Sequence, residues 1–316
     1  MDIYVKKAII HQFSPDDTDL YLADKFLNIT PKIEEYLRKK IERVYSDEAR
    51  TGIFEEDNPF LEMISDDLLE TSVAVANRWK EEFVVSENQK TNDLVFVQFS
   101  KEGVEHFAFL RIALRETLTH LGGEVDNPIK LTQNNLPGFG TGADEALVIN
   151  LQSHKYHLIE KRIKYNGTFL NYFSENLLQA QPKISPKKSI KALEKTAQKI
   201  AESFNTDDFQ FQSKVKSAIF NHIEEENKLS PEKLADDLFD DNLTARLSFI
   251  DQVKEAVPEP VTFEEIDASR QLKKFENQKL SLSNGIELIV PNNVYEDAES
   301  VEFILNENGT YSILIK

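Results

Sequence analysis

Ile3 to Phe13 carries the apolar content and patterning of a strand. Thr30-Pro31 then predicts a helix start, with a hydroxyl to cap it and a proline where the missing N–H costs nothing. Ile33, Tyr36, Leu37, Ile41 and Val44 follow at helical spacing and form the expected buried stripe. On the same helix Arg38, Lys39, Lys40 and Arg43 read as a solvated face, because Glu34, Glu35 and Glu42 lie beside them or one turn away. A second helix is expected from Asp66 to Glu82. Leu94 to Phe99 and Val104 to Leu114 flank a Glu102-Gly103 turn, and Glu145 to Leu151 and Tyr156 to Ile163 repeat that arrangement around residues 152–155. The first half therefore predicts an antiparallel sheet with helices alongside it.

From about Thr168 the period turns helical and stays so to Ala256. Ser185-Pro186 and Ser230-Pro231 repeat the hydroxyl-then-proline start. A later helix, capped by Asp241 or Asn242, is expected to bury Leu243, Leu247, Ile250 and Val253. Val257-Pro258-Glu259-Pro260 ends the block. Beyond it, two pairs of strand-like runs flank Asn284-Gly285 and Asn308-Gly309, and Asn-Gly supplies the positive φ angles of tight hairpins. The fold class that follows is α+β: an antiparallel-sheet-containing N-terminal half, then a helical module closed by a small β-meander. The expected domains are residues 1–180 and 185–316, joined by an exposed hinge over Gln179-Ala180-Gln181-Pro182-Lys183.

With 316 residues, 40% of them hydrophobic, and 21 phenylalanines, the chain has enough apolar surface for one or two sizeable cores. Zero cysteines exclude disulfides, cysteine-ligated zinc and a thiol nucleophile. Met1 to Lys7 lacks an apolar leader, and no run approaches the roughly 18 apolar residues of a membrane span, so a cytoplasmic protein with no membrane partner is expected.

Charge changes the picture most. The chain carries a formal net charge of −18, yet residues 151–200 hold 10 Lys and Arg against 3 Asp and Glu, while the remainder holds 27 against 52. An acidic protein repels phosphate polyanions at long range, so any contact with nucleic acid must run through that window. On a helix starting at Ser185, Ile190, Leu193, Ala197, Ile200 and Phe204 fall on one side. Lys187, Lys188, Lys191, Lys195 and Lys199 fall on the other, relieved only by Glu194 and Glu202. Lysine is a common residue on any solvated helix face, but a face built only for solubility in so acidic a chain would mix signs. Lys161, Arg162 and Lys164 extend the basic surface if the preceding strand packs nearby.

Other candidate chemistry reads as structural. Gly138-Phe139-Gly140-Thr141-Gly142-Ala143 matches a dinucleotide fingerprint in letters, but a turn-like stretch precedes it and a strand follows it, where a strand and a helix are required. His154 and His157 stand three apart on a strand, so their side chains take opposite faces. Asp236, Asp237, Asp240 and Asp241 close one helix and precede another, a place for caps more than for a cation. No catalytic residue, metal site or cofactor is expected, and the chain does not read as an enzyme.

Ile9-Ile10-His11, Arg111-Ile112-Ala113-Leu114-Arg115, Asn134-Asn135-Leu136-Pro137, Tyr165-Asn166-Gly167-Thr168-Phe169-Leu170 and Ser213-Lys214-Val215-Lys216 together resemble the bacterial nucleoid-associated protein family. That resemblance spans the chain. It implies nucleoid localisation, association with DNA and a part in chromosome organisation, and it carries over no catalytic residue. Two functions are then expected as rivals. In one, the lysine face binds duplex DNA through its backbone without sequence preference, since lysines supply charge but no bidentate base readout. In the other, the acidic surfaces engage chromosome-bound proteins and nucleoid association is indirect.

Overall fold

The strand-forming runs of the first half build one seven-stranded sheet, antiparallel throughout, in the order Asp19–Tyr21, Ile3–Ser14, Asn92–Lys101, Val104–Ala113, Glu145–Asn150, Lys155–Ile159, Arg50–Ile53. In chain order the elements are β1 (Ile3–Ser14), β2 (Asp19–Tyr21), α1 (Pro31–Glu42), β3 (Arg50–Ile53), α2 (Pro59–Glu62), α3 (Leu68–Phe83), β4 (Asn92–Lys101) and β5 (Val104–Ala113). There follow β6 (Arg115–His120), β7 (Ile129–Asn135), β8 (Glu145–Asn150), β9 (Lys155–Ile159), β10 (Ile163–Tyr165) and β11 (Thr168–Leu170), then a π-helical turn over Phe173–Leu177. These come from a computed structural model that describes every residue except 17, 85–89, 121–128, 166, 205–208, 264, 282–285, 296, 298 and 307–310. The chain divides into two units, Met1–Lys183 and Ile184–Lys316.

In the first unit both faces of the sheet are covered. Phe13, Phe96, Phe109, Leu147 and Leu158 point to one face and pack with Trp79 and Phe83 of α3 and Phe173 of the π turn. Val95, Val97, Phe99, Leu110 and Val148 point to the other and pack with Leu37 and Ile41 of α1. Two covered faces explain why β4, β5 and β8 read as nearly unbroken apolar runs rather than alternating ones. Gly52 of β3 pairs with Tyr156 of β9, and a Cβ there would fall 2.3 Å from the tyrosine hydroxyl, so glycine is what lets this edge strand close on the sheet.

Buried polar groups tie the layers together. Arg111 of β5 donates from Nε to Glu145 of β8 at 2.6 Å and from a terminal nitrogen to Asn92 at 2.9 Å. Tyr172 donates to the same carboxylate and accepts from the Trp79 indole at 3.0 Å. The guanidinium lies 5.1 Å from the Phe83 ring centroid, and the Glu145 carboxylate holds it above the usual arginine range.

Several expectations change on contact with the structure. Lys40 is not on a solvated face: it is buried, and its ammonium donates to the carbonyls of Pro137, Gly138 and Thr141. The glycine-rich loop is preceded by a strand, β7, and followed by another, β8, so no helix start is present. It turns carbonyl oxygens, not N–H groups, toward its cation, the opposite of a phosphate cradle. Residues 115–135 contain the ribbon β6–β7, whose Thr and Asn content gave no apolar signal. Thr168 to Leu170 is a strand, paired with β10, and not the start of the helical block. Residues 179–183, expected as an exposed hinge, close the first unit just before the division, with Gln179, Gln181 and Lys183 exposed. Arg50 donates to the carbonyl of Pro182 at 2.8 Å, Lys183 donates its N–H to Thr51, and Asn58 donates to the carbonyl of Leu178.

The second unit consists of α4 (Pro186–Ser203), α5 (Phe209–Glu226), β12 (Lys228–Leu229), α6 (Pro231–Leu238), α7 (Leu243–Lys254), β13 (Val261–Thr262), α8 (Ser269–Phe275), β14 (Asn277–Ser281), β15 (Glu287–Pro291), α9 (Asn292–Tyr295), β16 (Val301–Leu305) and β17 (Tyr311–Ile315). Its core gathers Leu193 and Ile200 of α4, Ile219 and Ile223 of α5, Leu234 of α6, Phe249 of α7 and Phe275 of α8. The terminal strands form two separate hairpins, β14–β15 and β16–β17, rather than one continuous meander, and Leu280, Val290 and Val301 pack together. Both Asn-Gly turns lie outside the described residues. On α7 the buried residues are Ala245, Phe249 and Val253. Leu243 and Leu247, expected in the core, are 62% and 53% exposed, so this helix is rotated from its expected orientation.

Candidate nucleic-acid interface

Helix α4 separates its two faces cleanly. Ile190, Leu193, Ala197 and Ile200 are buried, and the adjacent Ala201 joins them, while Phe204 at the C-cap is half-buried. Lys187, Lys188, Lys191, Lys195 and Lys199 are all exposed. Eighteen residues without glycine or internal proline favour a continuous helix, and Pro186 at its first position fixes the φ angle there. Ser185 takes the extended backbone of an N-cap, but its hydroxyl makes no capping bond. Its carbonyl instead accepts from the N–H groups of Lys188 and Ser189, both at 2.9 Å.

The electrostatics of this face are set by which acids reach it. Glu194 is met by Lys274 of α8 at 3.3 Å, so the middle of the helix keeps its positive balance. Glu202 accepts from Gln198 near the C-terminal end, and Lys199 donates to Gln252 of α7 at 3.1 Å. Lys188, Lys191 and Lys195 form no ion pair among the described residues. Lys188 and Lys199 stand about 17 Å apart along the axis, a length that spans several phosphates of a duplex. The second unit as a whole carries 16 Lys and Arg against 25 Asp and Glu, so the helix is a local exception within it.

Lys161, Arg162 and Lys164 lie in the first unit, the first two between β9 and β10 and the third within β10. All three are exposed. Lys161 is neutralised by Asp144 at 2.7 Å, and this pairing holds the Asp144 carboxyl below its ordinary range against the opposing effect of burial. Residue 164 is in a strand, and residues 161 and 162 precede it. The basic window thus divides between two units, with five lysines on one helix of the second.

The remaining candidates are engaged in packing or pairing. Asp236 faces Arg246 at 2.9 Å, Asp237 faces His222 at 2.6 Å and Asp240 faces Lys214 at 3.1 Å, so three of the four clustered carboxylates have separate cationic or imidazole partners. Asn242, not Asp241, caps α7 by accepting from Ala245. His157 is buried against the Tyr45 ring, and His154 sits in the turn before β9 with a φ of 55°. Among the described residues no group of His, Cys, Asp and Glu is arranged to hold a metal ion, and no helix is long and apolar enough to cross a membrane.

Sequence reasoning located the α4 face because a single helix carried both of its stripes. It missed Lys274, whose role depends on a contact 80 residues away in sequence. It also missed the exposed ring of Phe169 opposite Lys164, because residues 168–170 read as helix.

Comparison with curated proteins gave no match. Comparison with protein families gave one that runs nearly the length of both units. Residues 9–316 match the family model described as nucleoid-associated protein YejK, and the chain therefore belongs to this nucleoid-associated family.

Proposed function

We propose that the protein associates with the nucleoid by binding the backbone of duplex DNA through the exposed lysine face of α4, with little sequence preference. The observation that carries this reading is the isolation of Lys188, Lys191 and Lys195, exposed and without acidic partners among the described residues, on a helix whose other face is packed. Lysines act as point charges on phosphates and do not read base edges. The acidic remainder opposes approach, so binding weakens steeply as salt rises toward physiological levels. No catalytic step belongs to this reading. Changing Lys188, Lys191 and Lys195 together to glutamate should remove the gel shift of a duplex while thermal unfolding stays near the parent value, because all three point away from the core. A retained shift would reject the assignment.

A second reading has its own support. Leu243 and Leu247 are exposed one turn apart on α7, with Asp241 and Asp251 exposed on the same segment. An apolar pair beside carboxylates suits a basic, amphipathic partner on the chromosome. Partners retained after nuclease treatment, released by salt and lost on Leu243→Ser with Leu247→Ser, would favour this adaptor role. Loss of every partner with nuclease alone would leave DNA as the tether.

A further inference from the structure

Positive charge gathers around the glycine-rich loop beyond what the buried Lys40 brings. The loop closes on itself through the Thr141 N–H, which donates to the Gly138 carbonyl, and the Lys40 ammonium fills it. Arg43, at the end of α1, lies against Gly142: its Cδ is 3.8 Å from where a Cβ of that glycine would stand. Arg115, at the start of β6, pairs with Asn135 just before the loop begins. Both arginines are exposed, and neither forms an ion pair among the described residues. Both also act on Lys40. Burial first, then Arg43 and Arg115, hold its ammonium down at about 8, with Asp144 opposing them.

The acids of this region are mostly engaged. Glu35 holds Lys39 at 2.9 Å, and Glu42 faces Arg38 at 3.7 Å. Asp144 takes Lys161 at 2.7 Å and the Ala113 N–H at 2.9 Å. Asp93 accepts from Gln12 at 3.0 Å, and Glu48 has a partner of its own. Glu116 is exposed and accepts only from Gln133, at 3.2 Å, so one carboxylate without a cation stands against two guanidinium groups and Lys40.

Like charges set together are unfavourable unless something opposes them. In a chain of net charge −18 such a group of cations is an exception, and an anion between the guanidinium groups relieves it. Arginine suits a phosphate because its planar fork offers two parallel N–H···O bonds. The loop backbone takes no part, since its carbonyls are turned to Lys40. We propose that Arg43 and Arg115 bind a phosphate group beside the glycine-rich loop, with the Lys40 ammonium adding charge. All three residues lie in the first unit, so the site stands or falls separately from the lysine face of α4.

The test follows Lys40 by NMR in the full chain with carbon-13-labelled lysine, its signals assigned with Lys40→Arg. An anion beside an ammonium favours the charged form. At a pH near the Lys40 midpoint of about 8, inorganic phosphate should move the Lys40 Cε signal toward its protonated position along a saturating curve, whereas chloride at the same ionic strength should not. Arg43→Gln should weaken this response about ten-fold, and Arg43→Gln with Arg115→Gln should abolish it. In chloride that double variant should already titrate at higher pH, because the opposing charges are gone, and it should unfold at or above the temperature of the parent. A short duplex that gives the same movement with Lys188→Glu, Lys191→Glu and Lys195→Glu in place would assign the phosphate to a DNA backbone, and a response to inorganic phosphate alone would assign it to a free phosphate. No saturating response to either, or an equal response in the double variant, would overturn the proposal.

Discussion

Lys274 of α8 reaches across to Glu194 of α4 at 3.3 Å and neutralises the one acid set within the run of lysines from Lys187 to Lys199. The pair is partly exposed and adds little to stability, about 0–1 kcal/mol. Its consequence is electrostatic. Lys274→Ala should uncover the carboxylate and lower duplex affinity several-fold, while Glu194→Gln should raise it. Both variants should unfold at temperatures close to the parent, and fluorescence anisotropy at low salt reads the two affinities directly.

The packed side of the same helix makes the complementary prediction. Leu193 is fully buried among the residues of the second core. Leu193→Ala should cost about 2–5 kcal/mol in urea unfolding of the second unit. Lysine substitutions at 188, 191 and 195 should cost little, which separates loss of binding from loss of fold.

Lys40 shows why a local reading of charge falls short. On α1 the neighbouring glutamates make every cation look solvated, and Lys39 does pair with Glu35 at 2.9 Å. Lys40, one residue on, is instead drawn into carbonyls from a loop about a hundred residues later, and burial pulls its ammonium down to about 8. Helix starts were legible at Thr30 and Ser230, because each hydroxyl sits next to the backbone N–H groups it caps. The face of α7 was not. Of the expected stripe Leu243-Leu247-Ile250-Val253, Val253 is buried and Ile250 packs against the core, but the neighbouring helices take up Ala245 and Phe249 in place of Leu243 and Leu247. The lysine face lay entirely within one element and so could be read from sequence alone. Its relief by Lys274 could not.

Replacing Lys40 should expose that dependence. Lys40→Met removes the ammonium shared by three carbonyls; Pro137 keeps the Tyr36 hydroxyl and Gly138 keeps the Thr141 N–H as donors, so the loss falls mainly on the Thr141 carbonyl and should cost about 1–3 kcal/mol of stability. Hydrogen exchange should rise in residues 137–142 more than at the centre of the sheet. Unchanged exchange there would show that the loop holds its shape without the ammonium.

His11 predicts the acid limb of stability. Its Nδ1 accepts the N–H of Ala23 at 3.0 Å, which leaves the ring proton on Nε2, 2.9 Å from the Ser72 hydroxyl. Ser72 in turn donates to the carbonyl of Leu69 at 2.8 Å. Burial holds the imidazole below its usual 6.5, so the unfolded chain takes up a proton first as pH falls. The stabilising contribution is complete above about 6.5 and declines below it. Urea unfolding between pH 7.5 and 5 should show this decline in the parent, and His11→Asn should flatten it. Equal slopes in the two proteins would assign the acid limb to other groups.

The central claim is direct contact between the α4 lysines and DNA phosphates, and the salt dependence of duplex binding measures that contact. If each of the five lysines neutralises about one phosphate, log affinity of the full chain should fall against log salt with a slope of roughly −4 to −5. The slope should collapse with Lys188→Glu, Lys191→Glu and Lys195→Glu. Binding that ignores salt, or a triple variant that titrates like the parent, would contradict the account and leave the nucleoid association to a protein partner.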